Sequence, residues 1–226
     1  MPFRFPRKSP LKLAVLISGT GRSLRNLIEK IKARILNAEI HNVIATSIRA
    51  PGLQYAEQNR LPISLVSPPD TADVRNPPQF GENHSSVWSF SDSVFTCCRQ
   101  VGADLVVLAG YTPKLKIPED FAYRVITSHP ALTPAFSDPQ LFGLRVHEAV
   151  LQYGVKITGC TIHFVDDSGH CGPVIFQQDI PVLEDDTVTS LEARVFAVEC
   201  DLLPHAINLI AAGRVEVEGR QVRILP

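Results

Sequence analysis

The chain has 226 residues, of which 45% are hydrophobic and 20% charged, and this composition suits one globular α/β domain with a substantial buried core. A formal net charge of −1 gives no electrostatic basis for binding nucleic acid or a membrane surface. The five cysteines have no CxxC spacing, and their odd number argues against a disulfide framework.

The first ten residues are basic and contain prolines, and no apolar signal core follows them. The apolar run at 13–17 is too short for a signal peptide or a membrane span. We therefore expect residues 1–10 to form a flexible tail and the protein to be cytoplasmic.

The segment 11–17 is apolar and ends in Ser18-Gly19-Thr20-Gly21, after which apolar residues recur at helical spacing from Leu24 to Ile31. This order predicts a strand, a glycine turn and a helix, which is how a doubly wound sheet begins. Such a turn either holds a phosphate at the start of the helix or simply connects the two elements without a ligand.

Further patterns predict a mostly parallel, doubly wound (Rossmann-like) α/β sheet within a single domain over 11–226. The predicted strands are 39–45, 63–66, 101–109, 123–126, 156–165 and 174–180, and the predicted helices are 51–59, 146–153 and one from Thr187 onward. A hairpin is predicted at 215–217 and 222–225. Residues 68–91 are polar with two Pro-Pro pairs and predict a surface loop, either a lid or a disordered segment.

His129 follows the predicted strand at 123–126, and prolines at 130 and 134 restrict the loop after it. A histidine at the carboxyl end of a strand in an open α/β sheet lies where such folds place their chemistry. The alternative is a histidine that only caps the loop. A second segment, 159–167 running into 172–175, together with the glycine turn favours the first interpretation.

These elements resemble the phosphoribosylglycinamide formyltransferases, within the folate-dependent formyltransferases. The resemblance covers 11–217 and rests on four segments in order, at 15–21, 106–111, 129–134 and 159–175. It implies a formyltransferase-type fold and transfer of a formyl group from 10-formyltetrahydrofolate to glycinamide ribonucleotide in purine synthesis. Its partners are then small molecules, a nucleotide and a folate, and the protein is expected to be a monomer or a homodimer.

Chain length helps to choose among related enzymes. A methionyl-tRNA formyltransferase is expected to carry an additional C-terminal domain, and a formyltetrahydrofolate deformylase an additional N-terminal one. A chain of 226 residues is expected to have room for neither.

The resemblance also implies site residues. The phosphate of the acceptor would be held by Gly21, Arg22 and Ser23, with Arg22 standing where a small polar residue is commoner. The folate would lie beside two segments, whose residues are Thr112, Pro113, Lys114, Leu115, Asp166, Asp167, Ser168 and Gly169. His129 matches the catalytic histidine, and His147 either lines the acceptor pocket or faces solvent at the start of a helix.

Two catalytic positions depart from the family pattern. Thr127 stands at the usual asparagine and His170 at the usual aspartate, so a weak oxyanion donor and no carboxylate at the matching position are expected. Asp166 or Asp167 either substitutes for this carboxylate or lies in an exposed turn, and the exposed turn is favoured. The alternatives are a protein that binds ligands without turnover and a formyltransferase with another amine acceptor, such as a sugar nucleotide. A metal site built from His129, His163, His170 and Cys171 is disfavoured, because only an assumed fold brings these segments together.

Overall fold

The structure is a computed structural model that describes residues 2–68, 84–138, 140–166 and 171–226. Its main feature is a seven-stranded sheet with the order β4-β3-β2-β5-β6-β7-β8. Its strands are β2 (Leu11–Ile17), β3 (Ala38–Ala45), β4 (Ile63–Leu65), β5 (Leu105–Leu108), β6 (Val125–His129), β7 (Ile157–Val165) and β8 (Cys171–Pro181). The helices are α1 (Arg22–Lys32), α2 (Leu53–Gln58), α3 (His84–Gln100), α4 (Leu144–Tyr153) and α5 (Val188–Ala211).

The sheet is parallel from β4 to β6, and β7 and β8 extend it in the antiparallel sense. Side chains of β2 alternate between the two faces, as the period of a strand requires. Leu13 and Val15 pack in the cluster that includes residues of α1 and α5, whereas Ala14 and Leu16 pack with residues of α3. Helices therefore cover both faces, and the predicted doubly wound, mostly parallel sheet is confirmed.

The prediction of a flexible tail is wrong for residues 3 to 8. Strand β1 (Phe3–Arg4) pairs with β9 (Val215–Glu218), which also pairs with β10 (Gln221–Ile224) in a small second sheet. Phe5 is buried and stacks on Phe164, with ring centroids 6.0 Å apart. Burying a phenylalanine contributes roughly 2–3 kcal/mol, enough to order a short segment that the basic residues and prolines made look unstructured.

The predicted surface loop at 68–91 is wrong at its C-terminal end, because α3 begins at His84. Four apolar residues of this helix, Phe90, Val94, Phe95 and Cys98, are buried at helical spacing. The serines around Phe90 concealed this spacing in the sequence. The rest of the predicted loop, 69–83, lies outside the described residues. In the described part of the chain no helix is both long and apolar enough to cross a membrane.

Candidate active site

The carboxyl ends of three neighbouring parallel strands meet at one edge of the sheet. Leu16 of β2 pairs with Leu108 of β5, and Leu108 pairs with Thr127 of β6. The segments that follow these strands therefore lie side by side, and the Thr112 amide is 3.3 Å from the hydroxyl of Ser18. The structure thus brings together the glycine turn, the segment after β5 and His129, as the sequence predicted.

The glycine turn leaves the first amides of α1 open. Gly21 has φ +68° and is the N-cap of α1, with no side chain capping the helix. A Cβ at Gly21 would lie 2.6 Å from the Cα of Gly52, whose amide donates to the carbonyl of Gly19 at 3.0 Å. Uncapped amides at a helix N-terminus favour an anion.

We predict that Gly21→Ala lowers the free energy of unfolding by roughly 2–3 kcal/mol, because alanine is strained at this φ and its Cβ overlaps Gly52. The matched control is Gly19→Ala, since a Cβ at Gly19 would meet nothing within 4 Å. This control is expected to change stability by no more than about 0.5 kcal/mol. Urea denaturation measures both variants, and equal losses would show that the close approach to Gly52 is unimportant.

Ser23 and Glu199 form a polar wall next to the turn. The Ser23 hydroxyl donates to Oε1 of Glu199 on α5 at 2.5 Å, and Ser128 also hydrogen-bonds this carboxylate. Burial raises the pKa of the Glu199 carboxyl, while the two hydroxyls lower it. Glu199 is not among the site residues predicted from the sequence, although its place one turn after the buried Val195 indicates a carboxylate on the inner face of α5.

Arg22 is turned from the glycine turn toward α5. Its Nη1 lies 3.3 Å from Oε2 of Glu192, and its Nη2 contacts the other carboxylate oxygen. The guanidinium carbon also lies 4.0 Å from the centroid of the Phe196 ring. The side chain is therefore already paired with a carboxylate of the protein.

His129 ends β6 with its ring partly buried. Its Nε2 lies 2.9 Å from the carbonyl oxygen of Phe136, so Nε2 carries the proton and Nδ1 is left as an acceptor. Burial lowers the pKa of His129 to about 4; the Phe136 carbonyl opposes this, and His163 and His147 add to it. No carboxylate of the described residues is among the groups that set this pKa. The ring is therefore neutral at pH 7.

The loop that follows His129 is held by two side chains that sequence analysis did not single out. The Thr161 hydroxyl donates to the Ala131 carbonyl at 2.6 Å and accepts from the Thr133 amide at 3.1 Å. Gln177 donates to the Thr133 carbonyl at 2.8 Å. Both lie on strands paired beside His129, so the register of β7 and β8 positions the loop that follows His129.

The hydroxyl of Thr127 is directed at the backbone. It lies 3.2 Å from the Leu108 carbonyl oxygen and 3.5 Å from that of Ser128, so its single proton is donated to the backbone, with Leu108 the nearer acceptor. The other predicted catalytic position, His170, lies outside the described residues, together with Asp167, Ser168 and Gly169. Asp166, the residue that precedes them, has Oδ2 4.0 Å from Nη1 of Arg220.

The predicted folate segment runs along the edge of the sheet after β5. Thr112 and Lys114 are exposed, Pro113 is partly buried and Leu115 is buried. Pro113 has no amide hydrogen, and the Thr112 amide is directed at Ser18. This edge therefore offers fewer backbone donors than a regular segment of the same length.

Two further histidines are buried. His147 on α4 is 2% exposed, so the solvent-facing alternative is wrong, and its Nδ1 has no hydrogen-bond partner among the described residues. His163 is also buried, and its Nδ1 lies 2.8 Å from the Phe164 carbonyl. Within the described ranges no three His, Cys, Asp or Glu residues are grouped to hold a metal.

Comparison with known proteins identifies the same family that the sequence resembles. The family model described as formyl transferase matches residues 11–207. The phosphoribosylglycinamide formyltransferase of Mycobacterium tuberculosis is 32% identical over 227 residues, covering 97% of this chain and 94% of that protein. The trifunctional purine biosynthetic protein adenosine-3 of Gallus gallus is 34% identical, and the match spans only 19% of its length.

The solved structures agree. The glycinamide ribonucleotide transformylase 1 of Symbiobacterium toebii superposes with a TM-score of 0.80 at 33% identity, covering 96% of this chain and 94% of that chain. A formyltetrahydrofolate deformylase of Pseudomonas syringae, at 21% identity and a TM-score of 0.77, shares the fold. The carboxyl ends of the parallel strands, the glycine turn and His129 all lie within the matched residues. The chain therefore belongs to the formyl transferase family, among the phosphoribosylglycinamide formyltransferases.

Proposed function

We propose that this chain transfers the formyl group of 10-formyltetrahydrofolate to the amine of glycinamide ribonucleotide in purine synthesis. The proposal rests on His129, whose neutral imidazole lies next to the glycine turn at the carboxyl ends of the parallel strands. The names of its relatives in Mycobacterium tuberculosis and Haemophilus influenzae support the same reaction. Formyl transferases of this family use 10-formyltetrahydrofolate as the formyl donor. The cytoplasmic location and the oligomeric state stay predictions.

The acceptor is assigned to the side of the edge next to α1. Gly21, Arg22 and Ser23 offer backbone amides and a helix N-terminus to its phosphate. Glu199 lies next to Ser23 with a carboxylate, which accepts hydrogen bonds and so suits the hydroxyls of a ribose. The amine of the glycinamide would then extend along β6 toward His129.

The folate is assigned to the segment from Thr112 to Leu115 and to the predicted segment 166–169, of which Asp166 is among the described residues. This side of the edge has apolar packing from Leu115 and few free amides, because of Pro113 and the Thr112–Ser18 contact. We expect the folate ring to be held mainly by packing and by carbonyl acceptors, with lower affinity than a segment rich in amide donors would give.

The residues support the following steps. The nitrogen lone pair of the acceptor attacks the formyl carbon, and the carbonyl oxygen becomes an oxyanion. The Nδ1 lone pair of His129 accepts the proton that the attacking amine releases. The bond from the formyl carbon to N10 then breaks as the carbonyl reforms, and the imidazolium of His129 returns the proton to N10. Thr127 does not aid the oxyanion, because its hydroxyl proton is directed at Leu108.

An assay of the purified chain with both substrates tests the proposal. We expect slow but measurable formation of formylglycinamide ribonucleotide, because one proton shuttle is present and one oxyanion donor is missing, at a cost of roughly 10²–10³ in rate. The same assay with His129→Asn is expected to fall to background. His205→Asn, which changes an exposed histidine on α5, is the control and is expected to keep the wild-type rate. Absence of binding by either substrate would contradict the assignment.

A second candidate function is binding of the two ligands without turnover. It is favoured by one observation, the use of the Thr127 hydroxyl by the backbone. Calorimetric binding of both ligands with no product over long incubation would identify this function. Product that accumulates linearly with time and enzyme concentration, and that requires His129, would exclude it.

A further inference from the structure

The inference starts from the ion pair between Arg22 and Glu192. Arg22 is the first residue of α1, next to the open amides of the glycine turn, yet its guanidinium lies on α5. Both carboxylate oxygens of Glu192 contact it, and the Phe196 ring lies beneath it at 4.0 Å. The side chain of Arg22 is 47% exposed and that of Glu192 is 18% exposed. An ion pair that is this exposed to solvent contributes little stability, so another anion can replace the Glu192 carboxylate.

His147 provides a second, independent observation at this place. Its side chain is buried on α4, and its Nδ1 has no hydrogen-bond partner among the described residues. Burial lowers the pKa of His147; the charge of Glu192 opposes this and that of Arg22 adds to it, so the ring lies near the pair. Burying a polar nitrogen without a partner is costly, and native structures keep such groups mainly where something else completes them.

The chemistry of the Arg22–Glu192 pair indicates which kind of ligand would bind at this place. A guanidinium binds a carboxylate and a phosphate through the same two-pronged geometry. A phosphate monoester carries almost two charges at pH 7, and next to Arg22 it would also meet the open amides of α1. In the structure the guanidinium is paired with a carboxylate of the protein on α5, away from the glycine turn.

We propose that Arg22 is a specificity-determining residue for the phosphate group of the acceptor, and that Glu192 holds it on Phe196 until the phosphate takes the place of the carboxylate. This proposal rests on the function proposed above and deepens it. An uncharged acceptor cannot form an ion pair with the guanidinium, so the Arg22–Glu192 pair stays intact when it binds. The site therefore selects phosphorylated amines.

Binding experiments on the full chain test this proposal. Amide NMR shifts of Ser23 and Leu24 are followed during titration with glycinamide ribonucleotide, with its unphosphorylated ribonucleoside and with inorganic phosphate. We expect Glu192→Gln to tighten binding of both phosphate ligands about fivefold, since it removes the competing charge, and to leave the ribonucleoside unchanged. We expect Arg22→Gln to weaken both phosphate ligands by about tenfold.

The control is Asp201→Asn, which removes another ion pair between α1 and α5, that of Lys30 and Asp201 at 2.6 Å. It is expected to leave all three affinities unchanged. In the combined variant Arg22→Gln/Glu192→Gln, the second change is expected to add nothing. Thermal unfolding of each variant separates an effect on the site from a loss of fold.

Four results would overturn the proposal. The first two are an unchanged or weaker affinity of Glu192→Gln for the phosphate ligands, and an equal gain in affinity in Asp201→Asn. The other two are a gain in affinity that persists when Arg22 is replaced, and no binding of phosphate by any variant. The proposed function is judged separately. If inorganic phosphate shows the expected pattern while glycinamide ribonucleotide does not bind, the role of Arg22 stands and the assigned acceptor is wrong.

Discussion

Replacing Thr127 by asparagine and His170 by aspartate together is expected to raise kcat for formyl transfer by roughly 10²–10³. Thr127 lies two residues before His129 on β6, so both side chains project from the same face of the strand. An asparagine is long enough to present an amide donor beside the ring, whereas the threonine hydroxyl is directed at Leu108. A carboxylate at residue 170 would stabilise the imidazolium that forms during transfer.

Single-turnover rates of the wild type, the two single variants and the double variant measure this effect. The single variants are the controls, and each is expected to recover only part of the gain because the donor and the carboxylate act on one transition state. Rapid turnover by the wild type, with no gain from the double change, would contradict the view that Thr127 and His170 weaken catalysis.

His129→Asn in the background of this double variant is expected to lower kcat by about 10²–10⁴, the usual contribution of general acid–base catalysis. Asparagine fills similar space and donates a hydrogen bond, but it cannot take up and return a proton. KM for both substrates is expected to change little, because the ring acts on the transferred proton and not on the phosphate or the folate.

His205→Asn in the same background is again the matched control, since this histidine of α5 is exposed. A loss of less than tenfold in the His129 variant, or an equal loss in the His205 variant, would show that His129 is not the proton shuttle. Urea denaturation of both variants checks that the fold is kept.

The strands, the glycine turn and the place of His129 could be predicted because they depend on local patterns. Continuous apolar runs mark buried parallel strands, and a glycine turn before a helical period marks the start of α1. The ordered start of the chain could not be predicted this way. Phe5 is stabilised by Phe164, which lies far along the chain, and no local pattern records that contact.

The site was only partly predictable for the same reason. Glu199 and Glu192 lie on α5, more than 160 residues from Ser23 and Arg22, and only the packing of α5 against α1 joins them. The direction of the Thr127 hydroxyl depends on the register of β5 and β6. Resemblance to a family indicated Arg22, Ser23 and Thr127, whereas only the fold shows what these three side chains contact.

The most direct test of the account is the titration of the His129 ring by NMR. A buried neutral imidazole that donates to a backbone carbonyl, with no carboxylate among the described residues to stabilise its charged form, is expected to titrate below its ordinary value. We expect a pKa of about 4 in the wild type, mainly because the ring is buried. The ring is then neutral throughout pH 5–8 and becomes charged only in acid, and His170→Asp shifts the midpoint upward. A wild-type midpoint at 6.5 or above would mean that another group stabilises the imidazolium, and it would contradict the view that this formyltransferase site has lost its tuning charge.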